Sequence, residues 1–417
     1  MRGKSLKFDL WLLGICFSRV FTHLVVMTYA AALPVLQTEW EMSAATAGSI
    51  SSGFQIGYAF SLLIFSALAD RVGAKRVFFL SNLLTVFASL IFAAFARGYN
   101  SGIILYTLIG LCIGGVYTPG LMMLADRYSP RGRGMAVGFY IASTSLGYAL
   151  SLSISGAALP WGGYRVSFFL TCMGPLIGLL LAWATLASTP NKVFPRSREQ
   201  RFSTEVLRNA SAMLFIGAYV LHCWELLGMW AWTPAFLSAC LTARGSGLWT
   251  AVGSGAYIVG LFHLTGIVAS LSMGTLSDKL GRPLVILLVS SISTACSFVI
   301  GWLIGFPVGL IVFIGMIYAF SALGDSPILS AGITESIEPS YLGTAFAARG
   351  LLGFGAGAIS PYVFGAVLDY TNPAFSDTVT YATWGWSFSA LGLAGLGVVI
   401  MAHMLYRGGY HQKIMIS

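Results

Sequence analysis

Charge is what this sequence has least of. Asp, Glu, Lys and Arg make up 9% of its 417 residues and hydrophobic residues 57%, against about 25% and roughly 45–50% in soluble domains. So few charges cannot cover so large an apolar core in water, which excludes a soluble fold and leaves lipid as the solvent. Paired cysteines are missing too. Cys16, Cys112, Cys172, Cys223, Cys240 and Cys296 lie in or beside apolar segments with no paired spacing, which argues against a disulfide frame or a cysteine metal site and predicts free, buried thiols. The apolar run after Arg2, Lys4 and Lys7 has no A-x-A-like cleavage site, so it reads as an uncleaved first crossing rather than a signal peptide. The net charge of +9 is scattered in small groups between apolar runs. That is the pattern that orients membrane proteins, and no nucleic-acid partner is expected.

What is present in quantity is apolar helix. One crossing of the hydrocarbon takes ~20 residues, and by that ruler the chain makes twelve. The first six are predicted at 9–35, 45–68, 76–97, 101–125, 134–158 and 165–187. The second six are predicted at 208–237, 248–275, 283–304, 306–332, 342–368 and 380–405. Between them runs the longest polar stretch, 191–207, carrying Lys192, Arg196, Arg198 and Arg201. It reads as a basic cytoplasmic linker between an N-terminal bundle, 1–190, and a C-terminal bundle, 208–417. With the N-terminus in the cytoplasm, all Lys and Arg fall on the cytoplasmic side except Arg97, Arg165, Arg244 and the intramembrane Arg19. That asymmetry places both termini in the cytoplasm.

The halves repeat each other. Ala69-Asp70-Arg71-Val72-Gly73-Ala74-Lys75-Arg76 follows the second crossing, and Ser277-Asp278-Lys279-Leu280-Gly281-Arg282-Pro283 follows the eighth, half a chain length later. Pro130 and Gly134 are echoed by Pro339 and Gly343 at almost the same interval. The fifth crossing carries Ser143, Gly147, Ser151 and Ser155, and the eleventh Gly353, Gly357, Pro361 and Gly365. Small residues at this spacing let helices approach closely in lipid, as expected at an interface between moving halves.

Two six-helix halves, a D-R-x-G loop after crossing two and its echo after crossing eight make the chain resemble the major facilitator superfamily over essentially its whole length. The family's loop reads G-x-x-x-D-R-x-G-R-R/K. Asp70, Arg71, Gly73 and Lys75 match it, with Ser66 in place of the leading Gly and Ala74 in place of the first Arg. The second copy keeps Gly274, Asp278, Gly281 and Arg282, with Pro283 in the final basic place. The resemblance implies an all-α membrane fold of twelve helices in two pseudo-symmetric bundles. It also implies a latch in the outward-facing state between Asp70 and the N-terminal end of crossing eleven. Asp126 is the expected partner of Arg71, Lys75 or Arg76, and Glu335, in the equivalent place, of Arg349.

Buried ionisable residues are few: Arg19 and His23 in crossing one, His222 and Glu225 in seven, His263 in eight and Asp325 in ten. Each is costly in mid-membrane, about 2.5–3.5 kcal/mol on insertion scales for a charged residue, so each is a candidate site residue. In the family, crossings one, four, seven and ten line a central cavity. Arg19 and His23 share a helix face, as do His222 and Glu225, with Trp232 two turns beyond; Gln55 is a further polar candidate. No phosphate loop of the G-x-x-x-x-G-K-[ST] type or soluble nucleotide domain occurs, so ATP drive is not expected. His222 and Glu225 alone are too few for a metal site, and no catalytic constellation appears. The expected function is secondary transport of a small organic solute by alternating access, leaning through Arg19 toward an anion or organic acid, with protons as the coupling ion in symport. A drug or metabolite antiporter is the alternative; crossing five has no proline, unlike many drug antiporters of the family. A receptor that binds without transport is a third possibility. The protein is expected to be a monomer in a plasma (bacterial inner) membrane, without cofactor.

Overall fold

The computed structural model describes residues 9–193, 204–338, 341–373 and 381–408. Arg2, Lys4, Lys7, Arg196, Arg198, Arg201, Lys413 and most of the expected linker lie outside them. Among the described residues every regular element is helical: α1 (Leu10–Thr22), α2 (Thr28–Glu39), α3 (Ala44–Val72), α4 (Ala74–Phe95), α5 (Tyr99–Ile113), α6 (Thr118–Arg127), α7 (Pro130–Cys172), α8 (Gly174–Leu186), α9 (Thr204–Arg208), α10 (Ala210–Thr242), α11 (Leu248–Leu280), α12 (Arg282–Ile300), α13 (Val308–Ser336), α14 (Leu342–Thr371) and α15 (Gly385–Arg407). Eleven segments are long and apolar enough to cross a membrane, but one of them, Gly132–Leu186, has 55 residues. At 1.5 Å per residue that is about 80 Å of helix, far more than one crossing needs. The chain reverses within it at Gly163, whose φ of 65° and ψ of −172° are not helical. Ser155 and Ser167, on either side of the turn, both reach Thr28 (3.4 and 3.3 Å), which a straight helix could not allow. The crossings therefore number twelve.

Crossings one and four are each made of two helices joined by a 3₁₀ turn, His23–Val25 and Gly114–Val116. In crossing four the cause is local: Pro119 offers no N–H and its ring would strike the carbonyl of Gly115. Backbone groups at both breaks are taken by hydroxyls. Ser151 donates to Leu24 O and Tyr106 to Val26 O. Tyr140 donates to Val116 O (2.5 Å), and Gly114 N donates to Ser61 Oγ (2.9 Å).

The two repeated loops share a backbone conformation. Gly73 has φ 95° and ψ 143°, Gly281 φ 93° and ψ 143°, a region that side-chain-bearing residues rarely adopt. Their ion pairing differs from expectation. Asp126 pairs with Lys192 (2.8 Å) rather than with Arg71, Lys75 or Arg76. Lys75 instead donates to Thr189 O (2.6 Å) at the end of α8, while Arg71 and Arg76 are exposed. Glu335 pairs with Arg282 (2.8 Å), which also holds Asp278 (2.5 Å), so the second loop ties α11 and α12 to α13. Arg349 lies elsewhere, against Tyr219. Asp70 is exposed and belongs to no ion pair among the described residues.

The face opposite these loops is where the halves close on each other. Both carboxylate oxygens of Asp369, in the last turn of α14, accept from the first N–H groups of α3, Ala44 N (2.9 Å) and Ala45 N (2.8 Å). An acid there satisfies two orphan donors and meets the positive end of the helix dipole. Backbones touch nearby: a Cβ on Gly48 would lie 2.2 Å from Pro361 O, and one on Gly156 2.7 Å from Gly253 O. The small-residue stripes contribute less than expected. Gly147 packs on Val20 O, and Gly353 and Gly357 pack on α10, each within its own half; of the stripe glycines Gly365 crosses, against Ala44 O. Ser151 and Ser155 likewise turn to crossing one. The first stripe and the Gly353–Gly357 part of the second seat each half's fifth helix on its first, while Pro361 and Gly365 meet α3 across the interface.

Asp369→Asn removes the charge from this seal while keeping its shape. A carboxylate at a helix N-terminus contributes about 0.3–2 kcal/mol, so distances between spin labels on Thr46 and Tyr370 should gain a longer population, by severalfold. An unchanged distribution would show the ion is not what holds this face shut. Gly281→Ala forces a side chain into the left-handed region at a cost of about 1–2 kcal/mol and should lower the unfolding temperature.

Candidate functional site

Between the halves, toward the face carrying the two loops, lies a cavity of about 250 Å³. Its walls come from the loop-side halves of the helices: Gly138 and Ser145 of α7, Ser270 and Leu271 of α11, Ser330 of α13, Arg349 of α14. On its far side the Tyr148 ring meets Trp230 edge-on at 5.3 Å and His263 at 5.4 Å, across the interface. The cavity is therefore sealed on the Asp369 side.

Of the residues singled out in the sequence, Arg19, His23, Gln55 and His222 line it. Arg19 is 2% exposed. Its guanidinium sits 4.3 Å from the Tyr140 ring centre and 5.0 Å from that of Tyr117, yet Nε and Nη1 have no hydrogen-bond partner. His23, in the 3₁₀ turn, donates Nδ1–H to Arg19 O (2.8 Å). His222 faces the cavity with Nδ1 2.9 Å from Asp325 Oδ1. The two are out of line for a hydrogen bond, since that oxygen is unsatisfied; the contact is an ion pair only when the imidazole carries a proton. Asp325 stands behind His222, out of the lining.

Glu225 is not in the cavity wall. Three residues along a helix is 300°, so His222 and Glu225 diverge by about 60°, and Glu225 points into the second half. Its Oε1 accepts from Ser293 (2.8 Å) on α12, and Gly395 of α15 leaves room for Oε2, which a Cβ there would approach to 2.9 Å. His263 is buried between Trp230 and Tyr148 with neither ring nitrogen bonded. It borders a void of about 10 Å³ beneath the cavity. Trp232 is a correction. It is fully buried, stacked on Phe364, and donates Nε1–H to Pro361 O (2.9 Å), fastening α10 to α14. The tryptophan in the cavity is Trp230, because Tyr219, His222, Leu226 and Trp230 form the three–four ridge of α10 that faces it.

Sequence reasoning missed the aromatic walls, Tyr58, Tyr117, Tyr148, Tyr219 and Phe354. Four tyrosines inside apolar helices were a usable signal, since a phenol in lipid needs a polar neighbour. It also placed Arg349 at the membrane edge. No group of three or more His, Cys, Asp or Glu suited to a metal occurs among the described residues, and all six cysteines are free.

The family model "Major Facilitator Superfamily" matches residues 15–361. A probable 4-methylmuconolactone transporter of Cupriavidus pinatubonensis is 26% identical over 353 residues, 78% of this chain and 76% of that protein. A gallate transporter of Pseudomonas putida is 26% identical over 405 residues, 86% and 85% of the two chains. Among solved structures, a bacterial homologue of the human lysosomal transporter Spinster, inward-facing and unoccupied, superposes with a TM-score of 0.74 at 14% identity, covering 97% of this chain and 99% of the other. Twelve crossings, paired loops and a cavity between halves agree with the sequence match: the chain belongs to the Major Facilitator Superfamily, as a multi-pass membrane transporter of small-molecule solutes.

Proposed function

We propose that the protein is a proton-coupled symporter for a small organic anion, working by alternating access, with the two six-helix halves rocking about the cavity. The observation that carries this reading is the wall itself: it holds the buried guanidinium of Arg19, which has no ion-pair partner, and no carboxylate lines it among the described residues. A cation in that position is favoured by a bound anion and disfavours a cationic solute. The relatives named for gallate and 4-methylmuconolactone support the same class of solute. The positive-inside asymmetry puts the loop face in the cytoplasm, so the cavity opens inward in a bacterial inner membrane, and the protein acts as a monomer without cofactor.

Proton coupling is assigned to the second half. Glu225 on Ser293, and Asp325 beside His222, are buried groups that can gain or lose a proton without leaving the protein. Asp325 and His222 join that store to the cavity wall, so substrate charge and proton occupancy act on one imidazole. Asp70 supports the same cycle: it is exposed here, in an inward-open form, and takes up its latch on crossing eleven when the loop face closes.

The test is uptake of labelled gallate into proteoliposomes with and without an inward proton gradient. The gradient should accelerate uptake, and Glu225→Gln or Asp325→Asn should abolish that acceleration while leaving exchange of gallate across the membrane. Gradient-independent uptake, unchanged in both variants, would sink the coupling; acceleration by an outward gradient would establish an antiporter. Arg19→Gln should lower kcat/KM tenfold or more, as a charged hydrogen bond contributes about 1.5–3 kcal/mol.

A further inference from the structure

We infer that Arg349 is a second anion-binding residue of this cavity, so that the transported anion is held between one guanidinium from each half. The inference rests on the anion reading above and deepens it. The Glu335 carboxylate, the partner expected for Arg349 from sequence, is held by Arg282 instead. Arg349 turns inward, with its guanidinium carbon 3.6 Å from the Tyr219 ring centre and 5.3 Å from that of Phe346. It lines the same cavity as Arg19, and its Nε is buried without a hydrogen-bond partner.

The two arginines are built alike. Each sits over a tyrosine ring, which attracts a guanidinium by its face, and each keeps a buried N–H without a partner: Nε and Nη1 of Arg19, Nε of Arg349. In the first half the cation is on crossing one (Arg19) and a ring is on crossing five (Tyr140). In the second half the ring is on crossing seven (Tyr219) and the cation on crossing eleven (Arg349). These are equivalent helix pairs with the partners exchanged. With no carboxylate in the lining among the described residues, two cations share one space, and each leaves at least one buried donor unused. An oxyanion that accepts from both forks satisfies those donors and cancels the repulsion between the walls.

The chemistry of the solute follows. The acidic group sits between the arginines, and a flat ring lies among Tyr58, Tyr117, Tyr148 and Trp230. The class is a compact, ring-bearing carboxylate. A second acidic group, where present, takes the second fork.

Purified full-length protein in detergent, titrated with gallate, benzoate and phthalate and followed by tryptophan fluorescence, tests this. Wild type, Arg19→Gln, Arg349→Gln, Arg349→Lys and the double glutamine variant would be compared, with the unfolding temperature of each apo form as a check on folding. Arg349→Gln should weaken gallate binding tenfold or more. Arg349→Lys should recover part of that loss, because it keeps the charge but not the fork. The double variant should lose less than the product of the single losses when both forks hold one carboxylate; full multiplication, with phthalate the tightest ligand, would assign one acidic group to each arginine. Wild-type affinity in Arg349→Gln, alongside weakened binding in Arg19→Gln, would overturn this inference and leave the anion reading intact. Failure of all three anions to bind wild type would overturn both.

Discussion

The hydrocarbon offers no water, so every backbone donor and acceptor inside it must find its partner in the chain. The rest of the structure follows from that constraint. Crossings one and four are broken at the depth of the cavity, and they can be broken only because Ser61, Tyr106, Tyr140 and Ser151 bring hydroxyls to the backbone there. Tyr140 is bound twice into this scheme: its hydroxyl holds the break in crossing four and its ring carries Arg19. Side chains that stabilise the scaffold therefore also fix the position of the charge that faces the solute.

Charge is distributed by the same economy of partners. On the loop face, acids and bases neutralise each other in exposed or half-exposed pairs, which contribute little to stability individually. In the membrane the pattern separates: carboxyls withdraw into the second half, on Ser293 and behind His222, while the guanidiniums stay at the cavity. His222 is where the two regions meet. In the proposed cycle, the anion in the cavity and the proton on the groups behind it are thus neighbours rather than distant partners.

Much of the architecture was legible because lipid imposes it on composition. Crossing number, the repeated loops and the buried ionisable residues could be read from hydropathy and spacing alone. Gly163 is an instance of that reading: the predicted gap between crossings five and six contains this residue, where the backbone leaves the helical region and the chain reverses. Partner choice was not legible. Lys192 rather than Arg71, Lys75 or Arg76 reaches Asp126, and Arg282 rather than Arg349 reaches Glu335, because pairing depends on how helices far apart in sequence are rotated against each other. Rotation likewise decides Trp230 over Trp232. Two residues along α10 turn the side chain by about 200°, from a fastening on Pro361 to the cavity wall. The acid sealing the opposite face, Asp369, carried no motif; only its contact with the first turn of α3 gives it meaning.

The absence of carboxylates from the cavity lining has a consequence for leakage. Among the described residues the cavity wall carries two arginines and no acid, and the positive potential there repels sodium, potassium and hydronium alike, much as an arginine at a pore constriction excludes cations. In the proposed transport cycle, such walls keep stray cations out of the empty cavity, so idle turnover does not drain the ion gradients across the membrane. The walls proposed to recruit the solute then also insulate the membrane while it is away.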